Sequence, residues 1–430
     1  MTWADYGQDL EANLQDLHVR VQAGRYRALP SRRAYIPRAD GRLRPLGIAS
    51  LEDKIVQRAV VEVLGAIYEV DFRGFSYGFR RGRNPHDALD VLAAGIWGKR
   101  VNWVLDADVR DFFGQFDHFW LRRFVEHRIA DKRILRLIDK WLAAGVIEEG
   151  KWTACEEGSP QGASVSPLLA NVYLHYVFDL WVDWWRRRHA RGDVIVVCWA
   201  DDFIVGFEHE QDARRFLDEL RERFAKFGLE LHPDKTRLIE FGRYAARDRK
   251  RRGLGKPATF DFLGFTHICA SSRRGTFWVK RITIAKRMRA KLKAVNEQLK
   301  RRRHTPIPDQ GRWLASVLRG HIAYYAVPGN TDTVSAFRTQ LTRHWFKALR
   351  RRSQRDRMNW QRMGRIANRW LPKVRVMHPL PGNTPRCQNL RQEPSAVVPH
   401  AGICAGGRPQ GRSLPRHNLG FLGCLTAMSP

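Results

Sequence analysis

Acidic residues are scarce in this chain: 44 Asp and Glu stand against 76 Lys and Arg in 430 residues, a formal net charge of +32. Solubility alone does not require such an imbalance, which implies a polyanionic partner. Membrane phospholipid is one polyanion, but the sequence has no apolar run near the ~18 residues of a membrane span, no signal peptide and no lipidation motif. Nucleic acid is the better match. Cysteine is also sparse. Cys155, Cys198, Cys269, Cys387, Cys404 and Cys424 are scattered without a Cys-x-x-Cys pair, so neither a zinc site nor a disulfide framework is signalled. A reducing, cytoplasmic setting is expected. No solenoid-type repeat is visible.

Hydrophobic residues make up 43% of the chain, enough for two or three domains with proper cores. The most informative stretch is Val194-Ile-Val-Val-Cys-Trp-Ala-Asp-Asp-Phe-Ile-Val-Gly-Phe207, which places Asp201 and Asp202 at the tip of two strand-forming runs. Ionised carboxylates ~4 Å apart repel by roughly 4 kcal/mol at an effective dielectric of about 20. A pair held on a rigid hairpin therefore needs compensating positive charge, and a divalent cation is the natural candidate. A second acidic strand end follows Val101, Trp103 and Leu105, at Asp106 and Asp108. Adjacent strands of one sheet would bring Asp108 and Asp201 together. Template-directed nucleotide transfer uses two Mg²⁺ about 4 Å apart, held by hard carboxylate oxygens.

Other segments punctuate the chain. Tyr35 to Ile48 reads as a basic hairpin around Asp40-Gly41, and Ile55, Ala59, Val63 and Ile67 recur at helical spacing. Ser166 is placed to cap a helix opened by Pro167, with Leu169, Tyr173, Tyr176 and Leu180 along its apolar face. Phe216, Leu220, Phe224 and Phe227 mark a helix stopped near Gly228, and Thr259 to Phe265 reads as a strand. Strands and helices alternate around the acidic positions, an α+β core. From 281 to 370 there are 23 Lys/Arg against 4 Asp/Glu, with Ile284, Met288, Leu292, Val295 and Leu299 at helical spacing. Trp313, Tyr324, Tyr325, Trp345, Trp360 and Trp370 interleave with the arginines, a composition suited to neutralising phosphates and stacking on unpaired bases. Residues 378–430 lose periodicity and are expected to be poorly ordered.

Read in order, eight segments resemble reverse transcriptases, most closely the group II intron-encoded reverse transcriptase/maturase family. They are Arg38-Ala-Asp-Gly-Arg-Leu-Arg-Pro-Leu-Gly47, Phe75-Ser-Tyr-Gly-Phe-Arg80, Asp108-Val-Arg-Asp-Phe-Phe113, Gly158-Ser-Pro-Gln-Gly162 with Ser166-Pro-Leu-Leu-Ala-Asn171, Trp199-Ala-Asp-Asp202, Asp234-Lys-Thr236, Phe262-Leu-Gly264 and Tyr324-Tyr-Ala-Val-Pro-Gly-Asn330. The likeness runs from about Thr2 to Asn330 and, more weakly, to about Pro379. It implies a right-hand polymerase followed by an α-helical thumb/maturase domain. Fingers would span 1–105, the palm 106–280 with an interleaved fingers segment near 118–157, the basic helical region 281–377 and the tail 378–430.

The resemblance also implies roles. Asp108, Asp201 and Asp202, with the backbone carbonyl of Val109, would hold two Mg²⁺. Lys235 would protonate the pyrophosphate leaving group. Arg38 and Arg44 would grip the triphosphate, Phe113 would close the pocket against a ribose 2′-hydroxyl, and Gln161 would lie beside the nucleotide sugar, where Gly162 lets the backbone approach. Phe262, Leu263 and Gly264 would form the primer grip. Implied partners are group II intron RNA, a DNA target or primer, and dNTPs, without a membrane; oligomeric state stays open.

Three departures stand out. Trp199 replaces the usual tyrosine beside the paired aspartates, Arg110-Asp111 stands where a Lys and a small residue are common, and the chain begins downstream of the family's usual N-terminal extension. No His-Asn-His pattern is present, so second-strand DNA cleavage is not expected, and His378, His400 and His417 are expected to be solvated. The principal expectation is an RNA-directed DNA polymerase that copies intron RNA and assists its splicing. The alternative is a maturase-only RNA-binding splicing cofactor with a vestigial polymerase core. A defence or diversity-generating reverse transcriptase is a third reading, which the maturase-like segment after Tyr324 opposes.

Overall fold

Two-residue alternation along Trp103–Asp108 and Val194–Phe207 sends successive side chains to opposite faces of a sheet. In the computed structural model, which describes residues 2–37, 43–154, 157–159, 162–272, 274–353 and 358–381, these runs are central strands. In chain order the strands are β1 (Ser31–Pro37), β2 (Leu43–Ile48), β3 (Trp103–Asp108), β4 (Val146–Glu148), β5 (Lys151–Thr153), β6 (Val194–Trp199), β7 (Asp202–Phe207), β8 (Arg237–Glu240), β9 (Phe260–Phe262), β10 (Phe265–Ser271) and β11 (Phe277–Thr283). They form an antiparallel sheet in the order β6-β7-β3-β8, a second sheet β11-β10-β9, and a third, β2-β1-β4-β5, in which β1 and β4 run parallel.

The first sheet is covered on both faces. Leu105, Ala107, Val196, Phe203, Val205 and Phe207 share a core with residues of helices Ser166–Leu174, Leu180–Arg188 and Glu210–Lys226. The opposite face, through Val104, Val197 and Ile204, packs with Leu89, Leu92 and Ile96 of helix Pro85–Gly98 and with Phe260, Phe262 and Phe265 of the second sheet. Each such side chain contributes about 1.5–3 kcal/mol on burial. Together they fix which edge of the sheet is left for polar residues.

The helical region begins after β11. Helices Ala285–Arg301, Ile307–Tyr325, Thr331–Arg350 and Trp360–Trp370 enclose their own core of Leu292, Leu299, Leu314, Leu318, Phe337 and Leu341. Buried Asn330 ties it to the second sheet: its Oδ1 accepts from Thr283 N–H at 3.1 Å, and its Nδ2 donates to Thr283 Oγ1 at 2.9 Å and to the Tyr325 carbonyl at 2.8 Å. The architecture is an α+β core followed by an α-helical region.

Several local expectations change in the folded chain. Helix Leu51–Asp71 forms, with Ala59 buried and Ile55 and Ile67 packed against the core beside buried Val56, Val60, Leu64 and Tyr68, while Val63 is exposed. Val60, Val61, Val63 and Leu64 make the periodicity fit two faces. Buried Asp53 lies on the inward side, where it accepts from Tyr26, Ser50 and the Leu29 N–H. Ser166 does not cap its helix. Val165 holds that position, and the Ser166 hydroxyl bonds Ser159. The strand expected over Thr259–Phe265 is broken at Leu263 and Gly264, whose φ values of +46° and +87° turn β9 into β10.

Trp345 is not available for base stacking. It is buried in the helical core, where its Nε1 donates to Gln310 Oε1 at 2.8 Å. His378 is not solvated either. It stacks on His86 with ring centroids 3.7 Å apart, its Nε2 lying 2.7 Å from the Ala323 carbonyl. The hairpin tip at Asp40-Gly41, with Arg38, lies outside the described residues, as do Gln161 and residues 382–430.

Arg281 on β11 and Asp90 on helix Pro85–Gly98 form an ion pair at 2.7 Å, with 1% and 4% of their side chains exposed. Removing one partner strands the other charge in the interior. Arg281→Met is expected to cost about 3–5 kcal/mol in chemical denaturation, and a loss under about 1 kcal/mol would contradict this placement of the pair.

Candidate active site

The hairpin between β6 and β7 closes tightly: Trp199 pairs with Asp202, leaving only Ala200 and Asp201 in the turn. Ala200 has φ +55°. Its neighbour strand β3 sets Asp108 directly opposite Asp202, and the Val109 N–H donates to the Asp201 carbonyl at 3.3 Å. By strand alternation Asp106, Asp108 and Asp202 share one face, with Asp201 at the end. Asp108, Asp201 and Asp202 are thus brought to one end of one sheet, as the spacing of strand-end carboxylates implied.

Segments distant in sequence buttress this tip. Tyr77 N–H donates to the Cys198 carbonyl and Cys198 N–H to the Phe75 carbonyl, both at 2.9 Å. Asn171 Nδ2 donates to the Gly78 carbonyl at 2.8 Å. A Cβ on Gly78 would meet the Ala200 backbone nitrogen at 2.5 Å, so glycine permits the contact. Phe113 lies on the short helix Phe112–Gln115 just beyond β3, and its carbonyl accepts from the Ser159 N–H at 2.7 Å. Gly162 (φ +119°) abuts the Gly47 carbonyl of β2, the strand that carries Arg44.

Electrostatics at the tip favour a cation. Burial, reinforced by the charges of Asp106, Asp108 and Asp201, pushes the Asp202 carboxyl well above the usual carboxylate range. Burial raises Asp201 as well, opposed by a backbone hydrogen bond and by the charges of Lys235 and Arg44. Lys235, half exposed, forms a short ion pair with Asp108 Oδ2. Arg237, opposite Asp106 on β8, binds its carboxylate at 2.8 Å.

Asp106 is a further residue of the site to which the sequence assigned no role. The available signal was its position two residues before Asp108, which puts both on the same face. Four carboxylates therefore meet two paired cations, Lys235 and Arg237.

Among the described residues no three carboxylate, histidine or cysteine side chains form a closed metal cage, and the Asp108 carboxylate is ion-paired with Lys235. The donor chemistry nevertheless fits a hard divalent cation: carboxylate oxygens in excess of their counter-charges, and a Val109 carbonyl that accepts no hydrogen bond among the described residues. The Leu263-Gly264 turn is held from the helical side, where Tyr324 Oη donates to the Leu263 carbonyl at 2.8 Å and the Ile284 N–H to the Gly264 carbonyl at 3.2 Å. Phe262 and Gly264 are buried, so any contact with a strand at this turn falls to Leu263.

A carboxylate-tipped antiparallel sheet with this surround is the palm of a template-dependent polymerase. Residues 36–267 match the family described as "Reverse transcriptase (RNA-dependent DNA polymerase)". Protein YkfC of Escherichia coli (strain K12) is 34% identical over 285 residues, 57% of this chain and 74% of its own. Group II intron-encoded protein LtrA of Lactococcus lactis subsp. cremoris is 37% identical over 166 residues, 38% of this chain and 27% of its own. An uncharacterized 91 kDa protein in the cob intron of Schizosaccharomyces pombe is 41% identical over 146 residues, 34% of this chain and 18% of its own. The match thus spans only 27% and 18% of those two intron-associated relatives. The chain belongs to the reverse transcriptase family of RNA-dependent DNA polymerases, and its likeness within that family is to group II intron-encoded proteins.

Because Asp202 is raised by burial and like charge, the folded protein binds more protons than the unfolded chain above the ordinary carboxylate pKa. Stability is therefore lost as pH rises through that window. Asp202→Asn in metal-free buffer is expected to gain on the order of 1 kcal/mol at neutral pH, a gain that vanishes near pH ~4, where the unfolded carboxyl is itself protonated. Thermal unfolding across pH checks this, and a lower midpoint for Asp202→Asn at neutral pH would contradict it.

Proposed function

We propose that this chain copies intron RNA into DNA by two-metal nucleotidyl transfer and binds the same RNA to assist its splicing and mobility. The observation that carries the reading is the β3–β7 register, which puts Asp108 opposite Asp202 with Asp201 one residue away. Asp108, Asp201, Asp202 and the Val109 carbonyl would hold two Mg²⁺. Bound there, such ions supply activation of the primer 3′-hydroxyl and charge neutralisation at the leaving pyrophosphate.

The remaining roles belong to this chain's own groups. Arg38 and Arg44 grip the triphosphate through guanidinium forks. Lys235, paired with Asp108 in this structure, would be freed wherever Asp108 serves as a metal ligand, and would give a proton to the departing pyrophosphate. Phe113 closes the pocket against a 2′-hydroxyl, Gln161 lies beside the sugar, and the Phe262–Gly264 turn holds the primer end. Group II intron RNA, a DNA target or primer, and dNTPs are the partners. The RNA contacts fall on the basic helices between 285 and 370, and the setting is cytoplasmic. No described helix is long and apolar enough to cross a membrane.

One observation favours a second reading, the maturase-only RNA-binding cofactor: Trp199 pairs with Asp202 in the hairpin and puts an indole next to the carboxylates. Primer extension on an RNA template decides between them. Asp201→Ala is expected to lose at least ~100-fold in rate, since a metal site is worth several kcal/mol of transition-state stabilisation. It should also lose the rise in thermal midpoint that Mg²⁺ gives the parent. Equal incorporation by mutant and parent rejects the assignment. Accelerated intron splicing by a parent that incorporates no nucleotide with any divalent cation establishes the second reading.

A further inference from the structure

Of the five non-glycine residues with positive φ among those described, four lie in segments of the candidate site: Phe79, Asp111, Ala200 and Leu263. Phe79, at φ +55°, is the least expected of them. A bulky residue pays a steric penalty in the left-handed region that glycine avoids. Its exposure sets it apart within its own loop. Phe75 and Tyr77 of the same loop are buried, whereas Phe79 is 55% exposed.

The loop leaves the ring no alternative. On one side Gly78 is pinned against Ala200, with its carbonyl bound by Asn171. On the other, buried Arg80 donates from Nη1 to the carbonyls of Arg73 (2.6 Å) and Ser76 (2.7 Å), and from Nε (3.0 Å) and Nη2 (2.7 Å) to Glu69. Between these anchors the Phe79 side chain is driven outward. It arrives beside Phe113, ring centroids 6.5 Å apart and planes at 83°. Backbone strain does not help folding, and it persists where a site uses it.

We propose that Phe79 is a nucleobase-stacking residue whose exposed face packs on the base pair formed between the incoming nucleotide and the template. Resting on the polymerase reading above, this adds a base contact to the sugar contact assigned to Phe113. A flat apolar ring next to a ring that meets the sugar matches the face of a base. Every base offers a π face, so the contact is indifferent to sequence, and the loop's anchoring to the Asp201 hairpin holds the ring at a constant distance from the carboxylates.

Steady-state primer extension on an RNA template tests it, with Asp201→Ala as the inactive control. Phe79→Leu, which keeps bulk and loses the ring face, is expected to raise KM for all four dNTPs by roughly ten-fold or more, the scale of one lost base–aromatic stack. Phe79→Tyr keeps the parent KM, and in Phe79→Leu kcat falls less than KM rises. Phe79→Gly is expected to raise the thermal midpoint by relieving the strain while it raises KM. An unchanged KM in Phe79→Leu, with Asp201→Ala inactive, overturns the proposal and leaves the polymerase reading standing. A midpoint lowered by several degrees in Phe79→Gly makes Phe79 a packing residue and also overturns it. A parent no more active than Asp201→Ala removes both readings together.

Discussion

The antiparallel pairing of β3 with β7 is the constraint on which the rest of the molecule depends. Strand register is quantised: a slip of one residue moves every side chain to the opposite face. Here it places Asp108 across from Asp202 and leaves Asp201 in the turn. The register is enforced by burial on both sides, since Leu105, Phe203 and Val205 must enter one core while Val104 and Ile204 enter the other. A slip would put Asp202 among phenylalanines. The apolar packing of the sheet is thus what holds mutually repelling carboxylates together at its end.

The site is where this fold departs from its own stability rules. Carboxylates outnumber the cations paired with them, burial disfavours their charged forms, and four of the five non-glycine positive-φ residues described lie in the segments that build the tip and its surround. These costs are tolerated because the surround is over-determined. The Phe75–Arg80 loop is bonded to Cys198, Asn171 and Glu69 at once, and Gly158-Ser159 is bonded to Phe116 and Phe113. Such a scaffold arrives at the reaction with its geometry already set, so little reorganisation is needed when charge develops.

Much of this was legible in the chain. The Val194–Phe207 hairpin, the strand leading to Asp108 and the helix ending near Gly228 announce themselves through periodicities of 2 and 3.6 and, for the helix, through the glycine that stops it. What stayed hidden has identifiable causes. The inward face of Leu51–Asp71 was ambiguous because apolar residues nearly encircle the helix, and only packing of Val56, Val60, Leu64 and Tyr68 into the core settles it. Asp106 was visible as an acid, but its pairing with Arg237 depends on β8, a short strand without a strong pattern. Trp345 and His378 were read by composition, which does not distinguish an aromatic ring that faces solvent from one that fills a core.

The sequence by itself determined the class of chemistry. Paired acids at strand ends and ordered motifs are local in the chain, and net charge is a sum over composition; none of these needs a fold to be counted. Only the tertiary structure decided which acids share a face, that Lys235 is the present partner of Asp108, and that the Phe79 ring is held out beside Phe113. Those facts depend on contacts between residues far apart in the chain. Such contacts exist only once two cores have closed over both faces of one sheet.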